Sequence, residues 1–327
     1  MGSPITAHLT GHAGRSVPSA AMADHLIPIA VAPDSAPRWI TDAVVAGGGT
    51  LVEPAQAEAL VWGSPSARDE LARTLVDAPG IRWVQLPWAG VEPYREVLDD
   101  RHLWTSGKGV YAEPVAEHAL ALALAGLRSL VGYGRADCWS DAAGTNLFDA
   151  RVVILGGGGI TEVLLGLLAP FRADVTVVRR TPAPMDGARA VVGPDELHDV
   201  LAGADLLVLA LALTPATVGI IGAAELALLA AHAWLVNVAR GAHVVTADLV
   251  VALRDGTIGG AALDVTDPEP LPADHPLWLS PRCLITPHVG STPAMARPLL
   301  SRRITENVRR YAAGEPLLGP VDPVAGY

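Results

Sequence analysis

At 327 residues the chain is longer than a single hydrophobic core usually sustains, so two domains with a cleft between them are expected. Half of the residues are apolar and only 17% are charged, which excludes a mostly disordered chain. The formal net charge of −11 offers no electropositive face to nucleic acid and would be repelled by an anionic membrane surface.

Residues 1–25 mix Gly, Ser, Pro and His without the continuous apolar stretch of a secretory signal, and read as a loose leader. From Ile27 onward, short apolar runs alternate with helix-like stretches. Strands are predicted at Ile27–Ala32, Ala59–Trp62 and Arg82–Leu86, the βαβ rhythm of a parallel sheet. Lys108 is the single lysine and has no GxxxxGK[ST] around it, so a P-loop or Schiff-base mechanism has nothing else to rest on. Glu117–Tyr133 is apolar on nearly every face and is expected to form a buried helix joining two halves. Cys138 and Cys283 stand far apart. They form neither a disulfide framework nor a metal site, and suit the reducing cytoplasm.

A second unit opens with RVVILGGGG, and strands are predicted at Val152–Leu155, Asp174–Arg179, Leu206–Leu211, Ala233–Val238, Ala261–Val265 and Leu284–Thr286. The 19 uncharged residues between Asp205 and Glu225 could span a bilayer by length alone, but Thr214, Pro215 and Thr217 interrupt them, so strand, loop and helix are expected instead. Pro293–Ala313 is helix-like and is expected to return to the first domain. The predicted fold is α/β, with two Rossmann-like doubly wound parallel-sheet domains. The first comprises residues 26–116 plus 293–327 and the second residues 117–292.

Gly156-Gly157-Gly158-Gly159-Ile160-Thr161 follows an apolar strand and precedes an apolar-periodic helix, the context in which a glycine turn binds a pyrophosphate. Thr161 occupies the place of the usual third glycine. It could hold the helix farther out, cap it, or donate to a phosphate. The next strand ends in Arg179-Arg180-Thr181, where an NAD-selective fold carries a carboxylate. Two guanidiniums there suit the 2′-phosphate of NADP, while a merely solvated basic strand end would accept NAD as well.

Three later strand ends carry Arg240 (in NVARG), Asp264 with Glu269 (in LDVTDPEP), and His288 (in TPHVG). Alone, each is more often a surface or capping residue. Together they suit reduction of a 2-keto acid: Arg240 would orient the anion, His288 would donate a proton to the oxygen becoming alkoxide, and Glu269 would orient the ring and favour its protonated form.

These motifs, with the glycine turn and the AEPVAEHALAL helix, resemble the D-isomer-specific 2-hydroxyacid dehydrogenase family in order and spacing from Ile27 to Pro316. The resemblance implies that Arg240, Glu269 and His288 are catalytic and that Asp264 is the acid near the nicotinamide. It also implies that Leu211, Ala212, Thr217, Val238, Ala239 and Gly290 face the cofactor, with Ala212 standing where the family has proline. By the same resemblance Trp88, Ala89, Gly90 and Val91 form the loop whose N–H groups receive the substrate carboxylate, and Trp139 lies on the arm through which homodimers embrace. Glu269 in place of glutamine separates the chain from the family's formate dehydrogenases. Val61-Trp62-Gly63-Ser64-Pro65 lacks the cation expected of its phosphoglycerate dehydrogenases. The implied reaction is hydride transfer from NADP(H), or NAD(H), to glyoxylate or hydroxypyruvate. The alternatives are a phosphoglycerate dehydrogenase-like enzyme and a nucleotide-sensing corepressor-like protein. No metal is implied.

Overall fold

Strands that are apolar at every position must be covered on both faces, and both sheets of this chain are. The computed structural model describes residues 27–64 and 67–324, so the leader lies outside the described residues. Parallel strands β1 (Ile27–Ala32), β2 (Gly49–Leu51), β3 (Ala59–Trp62), β4 (Trp83–Gln85) and β5 (Leu103–Thr105) form the first sheet in the order β2-β1-β3-β4-β5. Helices α1 (Arg38–Ala46) and α2 (Arg68–Asp77) connect them. Alternate strand residues feed opposite cores. Ala30, Leu60 and Val84 pack with Leu71 and Leu75 of α2, whereas Ile29, Val61 and Trp83 pack with Ile40 and Val44 of α1.

Helix α3 (Ala112–Leu127) leads into the second sheet, and α4 (Leu130–Arg135) follows it. The single helix expected over Glu117–Tyr133 is therefore two. Ser129 adopts left-handed backbone (φ 53°), and its N–H turns back to the Gly126 carbonyl at 2.8 Å, tightening the last turn and ending the ladder. The second sheet contains β6 (Arg151–Leu155), β7 (Asp174–Val178), β8 (Ala190–Val192), β9 (Leu206–Leu209), β10 (Trp234–Asn237), β11 (Gly260–Leu263) and β12 (Cys283–Ile285). Its order, β12-β11-β10-β9-β6-β7-β8, places the first strand of the unit between the two arms that wind away from it, as in dinucleotide-binding folds. Helices α5 (Gly159–Leu168), α6 (Leu197–Leu201), α7 (Ala223–Leu228) and α8 (Thr246–Asp255) connect these strands. The segment 206–224 is the expected strand, loop and helix start, and among the described residues no helix is long and apolar enough to cross a membrane.

The sheets have five and seven strands where three and six were predicted. The additional ones, β2, β5 and β8, are three residues long and carry exposed or half-buried positions, too little for a periodicity to register.

Helix α9 (Pro293–Ala312) lies on α1, with Leu300, Ile304 and Val308 entering the core that holds Ile40 and Val44. The tail after it adds Val321 N–H to the Trp104 carbonyl at 2.9 Å. Buried Asn307 joins helix, sheet and tail: its Nδ2 donates to Gln85 Oε1 (2.8 Å) and the Leu318 carbonyl (2.9 Å), and its Oδ1 accepts from Leu318 N–H (2.8 Å). Asn307→Ala strands these partners in a dry core, which costs roughly 2–4 kcal/mol. Calorimetry should show the first unfolding transition lowered by roughly 5–10 °C.

Candidate active site

Parallel pairing puts Asn237, Leu263 and Ile285 in register, so the residues just beyond them gather at one edge of the sheet. Arg240, Asp264 and His288 all lie within three residues of those strand ends. Ligands of open α/β sheets bind outside this carboxyl edge.

His288 and Glu269 meet directly, Nδ1 to Oε1 at 2.7 Å, with both side chains about half exposed toward solvent. Thr266 N–H steadies the other carboxylate oxygen from 3.5 Å. A carboxylate on Nδ1 fixes the imidazole orientation and leaves Nε2 to face a substrate. His288 has left-handed backbone (φ 54°), uncommon for a residue with a side chain, and the turn is over-determined by its hydrogen bonds. Its own N–H donates to the Asp264 carbonyl at 2.8 Å.

Asp264, expected beside a nicotinamide, is 3% exposed and aims its carboxylate at that turn. It accepts from Thr286 Oγ1 (2.6 Å), Val289 N–H (2.8 Å) and Gly290 N–H (2.8 Å), with His118 Nε2 of α3 at 3.3 Å. Burial by itself would raise this carboxyl. The hydrogen bonds from His118, Thr286, Val289 and Gly290 outweigh burial and hold it down to about 2. Asp264 thus bears on the carboxyl edge of the sheet through the turn that carries His288.

Arg240 turns toward the other sheet. Its Nε lies 3.3 Å from Glu92 Oε1 and its Nη2 3.5 Å from Glu92 Oε2, while Nη1 donates to the Ala239 carbonyl at 2.7 Å. A Cβ on Gly90 would collide with Arg240 Nη2, so the glycine of the 88–91 loop is what lets the guanidinium reach it. Trp88 and Ala89 are exposed and Val91 is buried beneath them. The Trp88 indole leans against Tyr111 at 6.1 Å between centroids, so its packing is partial and its remaining face is open.

At the glycine turn, Gly156 has φ 107°, and a Cβ there would overlap the Ala210 carbonyl of the neighbouring strand end. Gly158 faces open space and Gly159 starts α5, whose first N–H groups lack intrahelical partners. Thr161 does not cap the helix. It is fully buried, and its hydroxyl donates to the Gly156 carbonyl at 2.7 Å, tying the helix back to the turn. Ile160 is half-buried on the same helix. Arg179 lies across the turn, with Cδ 2.8 Å from where a Gly157 Cβ would stand, while Arg180 and Thr181 are exposed. Val238 and Ala239 are buried at the strand end, and Gly290 closes the His288 turn.

The loop from Leu211 to Thr217 is braced without the family's proline at Ala212. Thr217 Oγ1 donates to the Ala212 carbonyl (2.9 Å) and accepts from Thr214 N–H (2.8 Å). Buried His243 supports it from behind, with Nδ1 2.9 Å from the Thr217 carbonyl and Nε2 3.3 Å from that of Leu211. Burial pushes the His243 imidazole down, opposed by those two carbonyls. Sequence reasoning singled out neither His243, His118 nor Glu92. His118 lies inside the quoted AEPVAEHALAL segment, His243 stands two residues past NVARG, and Glu92 follows the substrate loop by one residue.

The profile of the D-isomer specific 2-hydroxyacid dehydrogenase NAD binding domain matches residues 119–290. The chain is 32% identical over 284 residues, 82% of its own length and 87% of the relative's, to glyoxylate/hydroxypyruvate reductase A of Photorhabdus laumondii. It is 39% identical over 297 residues, covering 88% of the chain and 96% of the relative, to an uncharacterised protein of Corynebacterium melassecola. Among solved structures, it superposes with TM-score 0.81 and 30% identity on a D-isomer specific 2-hydroxyacid dehydrogenase from Xanthobacter autotrophicus Py2 in complex with NADPH and MES, covering 93% of this chain and 100% of that one. The chain belongs to the D-isomer specific 2-hydroxyacid dehydrogenase family of NAD(P)-dependent oxidoreductases.

The Asp264 carboxylate yields two checks. Its depressed folded-state value means the stabilisation is fully present above pH about 4 and is lost as pH falls towards about 2, a contribution of about 2 kcal/mol. Acid titration of unfolding should flatten over that window in Asp264→Asn. The same variant should lower kcat by roughly tenfold or more through loss of His288 placement, with the dinucleotide still bound.

Proposed function

We propose that the protein reduces a small 2-keto acid, glyoxylate or hydroxypyruvate, to the D-2-hydroxy acid with NADPH. The observation that carries this reading is the His288–Glu269 pair at the carboxyl edge of the second sheet, the same edge at which β10 ends just before Arg240. The residues at the glycine turn fit a dinucleotide: a left-handed glycine where a side chain cannot stand, open space at Gly158, and a helix N-terminus behind them. A reduced nicotinamide supplies the hydride. The chain's own residues do the rest. The N–H groups of the 88–91 loop and Arg240 hold the substrate carboxylate and polarise the keto carbonyl. His288 gives a proton from Nε2 to the carbonyl oxygen as it becomes alkoxide, while Glu269 keeps the ring aimed. In the oxidative direction the same imidazole accepts that proton.

Preference for NADPH is proposed on Arg179 across the glycine turn and Arg180 beside it, and it accords with the NADPH bound by the Xanthobacter relative. The choice of substrate follows the Photorhabdus reductase. We also assign residues 117–292 to the cofactor, residues 26–116 with 293–327 to the substrate, and the exposed segment around Trp139 to a homodimer contact. Cys138 is exposed and Cys283 buried, both free thiols, which suits a cytoplasmic enzyme.

Following NADPH absorbance with glyoxylate and hydroxypyruvate should show turnover that drops by roughly 100-fold or more in His288→Ala. Tight nucleotide binding with no turnover on any 2-keto acid would instead indicate a sensor. Replacing Arg179 and Arg180 together by Gln should weaken NADPH about tenfold or more and leave NADH nearly unchanged, and equal losses would reassign the pair to the fold.

A further inference from the structure

Glu92 lies two residues past Gly90, at the start of a short 3-10 turn, Glu92–Tyr94, on the first sheet's side, whereas Arg240 follows β10 of the second. The two residues are 148 positions apart and meet across the cleft. Both side chains are about one-third exposed, so the pair sits at the rim of water rather than in a core.

The geometry is side-on. Glu92 spans Nε and Nη2, and the Ala239 carbonyl takes one N–H of Nη1. A guanidinium carries five N–H donors in one plane. One N–H on each terminal nitrogen is therefore left over, and Nη2 already abuts Gly90 in the loop assigned to the substrate carboxylate. A carboxylate on one flank and a backbone carbonyl beside it hold the plane of a side chain that would otherwise rotate freely at this exposure.

We propose that Glu92 is a positioning residue for the reduction. It sets the plane of Arg240 from the opposite half of the molecule and leaves the terminal N–H edge to the 2-keto acid anion. Because partner and arginine come from opposite sides of the cleft, the arginine is presented only when the halves are together. The inference rests on the proposed role of Arg240 and adds a residue that acts through it, without itself touching the substrate.

The test is steady-state kinetics with glyoxylate and NADPH, made on the wild type, Glu92→Ala and Glu92→Gln, and on each Glu92 variant combined with Arg240→Lys. Glu92→Ala should raise KM for glyoxylate by about tenfold, and Glu92→Gln, which keeps one acceptor and nearly the same shape, by about threefold, with NADPH affinity and unfolding temperature unchanged. With Arg240→Lys, which cannot be gripped side-on, removing Glu92 should change kcat/KM less than about twofold. A fall in KM on removing the carboxylate would mean that Glu92 competes with the substrate. Losses of equal size in both backgrounds would mean that it only supports its loop. Either result overturns the proposal, as does an unaltered KM. If Arg240→Lys by itself matches the wild type, the assignment of Arg240 to the substrate fails, a result distinct from any obtained at position 92.

Discussion

A buried carboxylate with no solvent to share its charge must be surrounded by donors, and the carboxyl edge of the second sheet is arranged around one. Asp264 collects the hydroxyl of Thr286 and the N–H groups of Val289 and Gly290, and it faces the imidazole of His118. The N–H groups belong to the turn after β12, and the histidine belongs to α3. One side chain thereby connects three elements. His288 can hold its left-handed backbone because its own N–H is tied to the Asp264 carbonyl and the N–H groups of Val289 and Gly290, which follow it, are tied to the Asp264 carboxylate.

That fixed turn gives the exposed His288–Glu269 pair its direction. Exposed ion pairs are weak on their own, worth roughly 0–1 kcal/mol. The pair is placed by the buried network beneath it and adds little stability of its own. The same division of labour recurs across the edge. Buried His243 braces the loop that starts after β9, and Thr161 ties α5 to the Gly156 carbonyl, so the surfaces offered to ligands are backbone and half-exposed side chains on a rigid support.

The cleft is built from unlike halves. The second sheet has the strand order of a dinucleotide fold, with Gly156 lodged against Ala210 where the winding reverses. The first, in the order β2-β1-β3-β4-β5, brings the 88–91 loop to face it. Helix α3 begins beside Gly159 and runs unbroken across the back of the second sheet, and α9 carries the chain back onto α1. Arg240 and Glu92 are where the halves exchange a charged contact.

Much of this was legible in the order of residues. Continuous apolar runs named the buried strands, the four glycines after Leu155 marked the turn that opens α5, and three strand ends drew attention to Arg240, Glu269 and His288. The edge strands β2, β5 and β8 were not legible, because three residues carry no period. Nor was the break at Ser129, where a backbone angle rather than a side chain ends the helix. The orientation of Asp264, the buried hydroxyl of Thr161 and the encounter of Glu92 with Arg240 also had to come from the folded chain. Local periodicity and turn chemistry act over a few residues and are written in the sequence itself. His118 and Thr286 are 168 positions apart, and whether such groups touch is decided only when the sheets, helices and cleft have been packed.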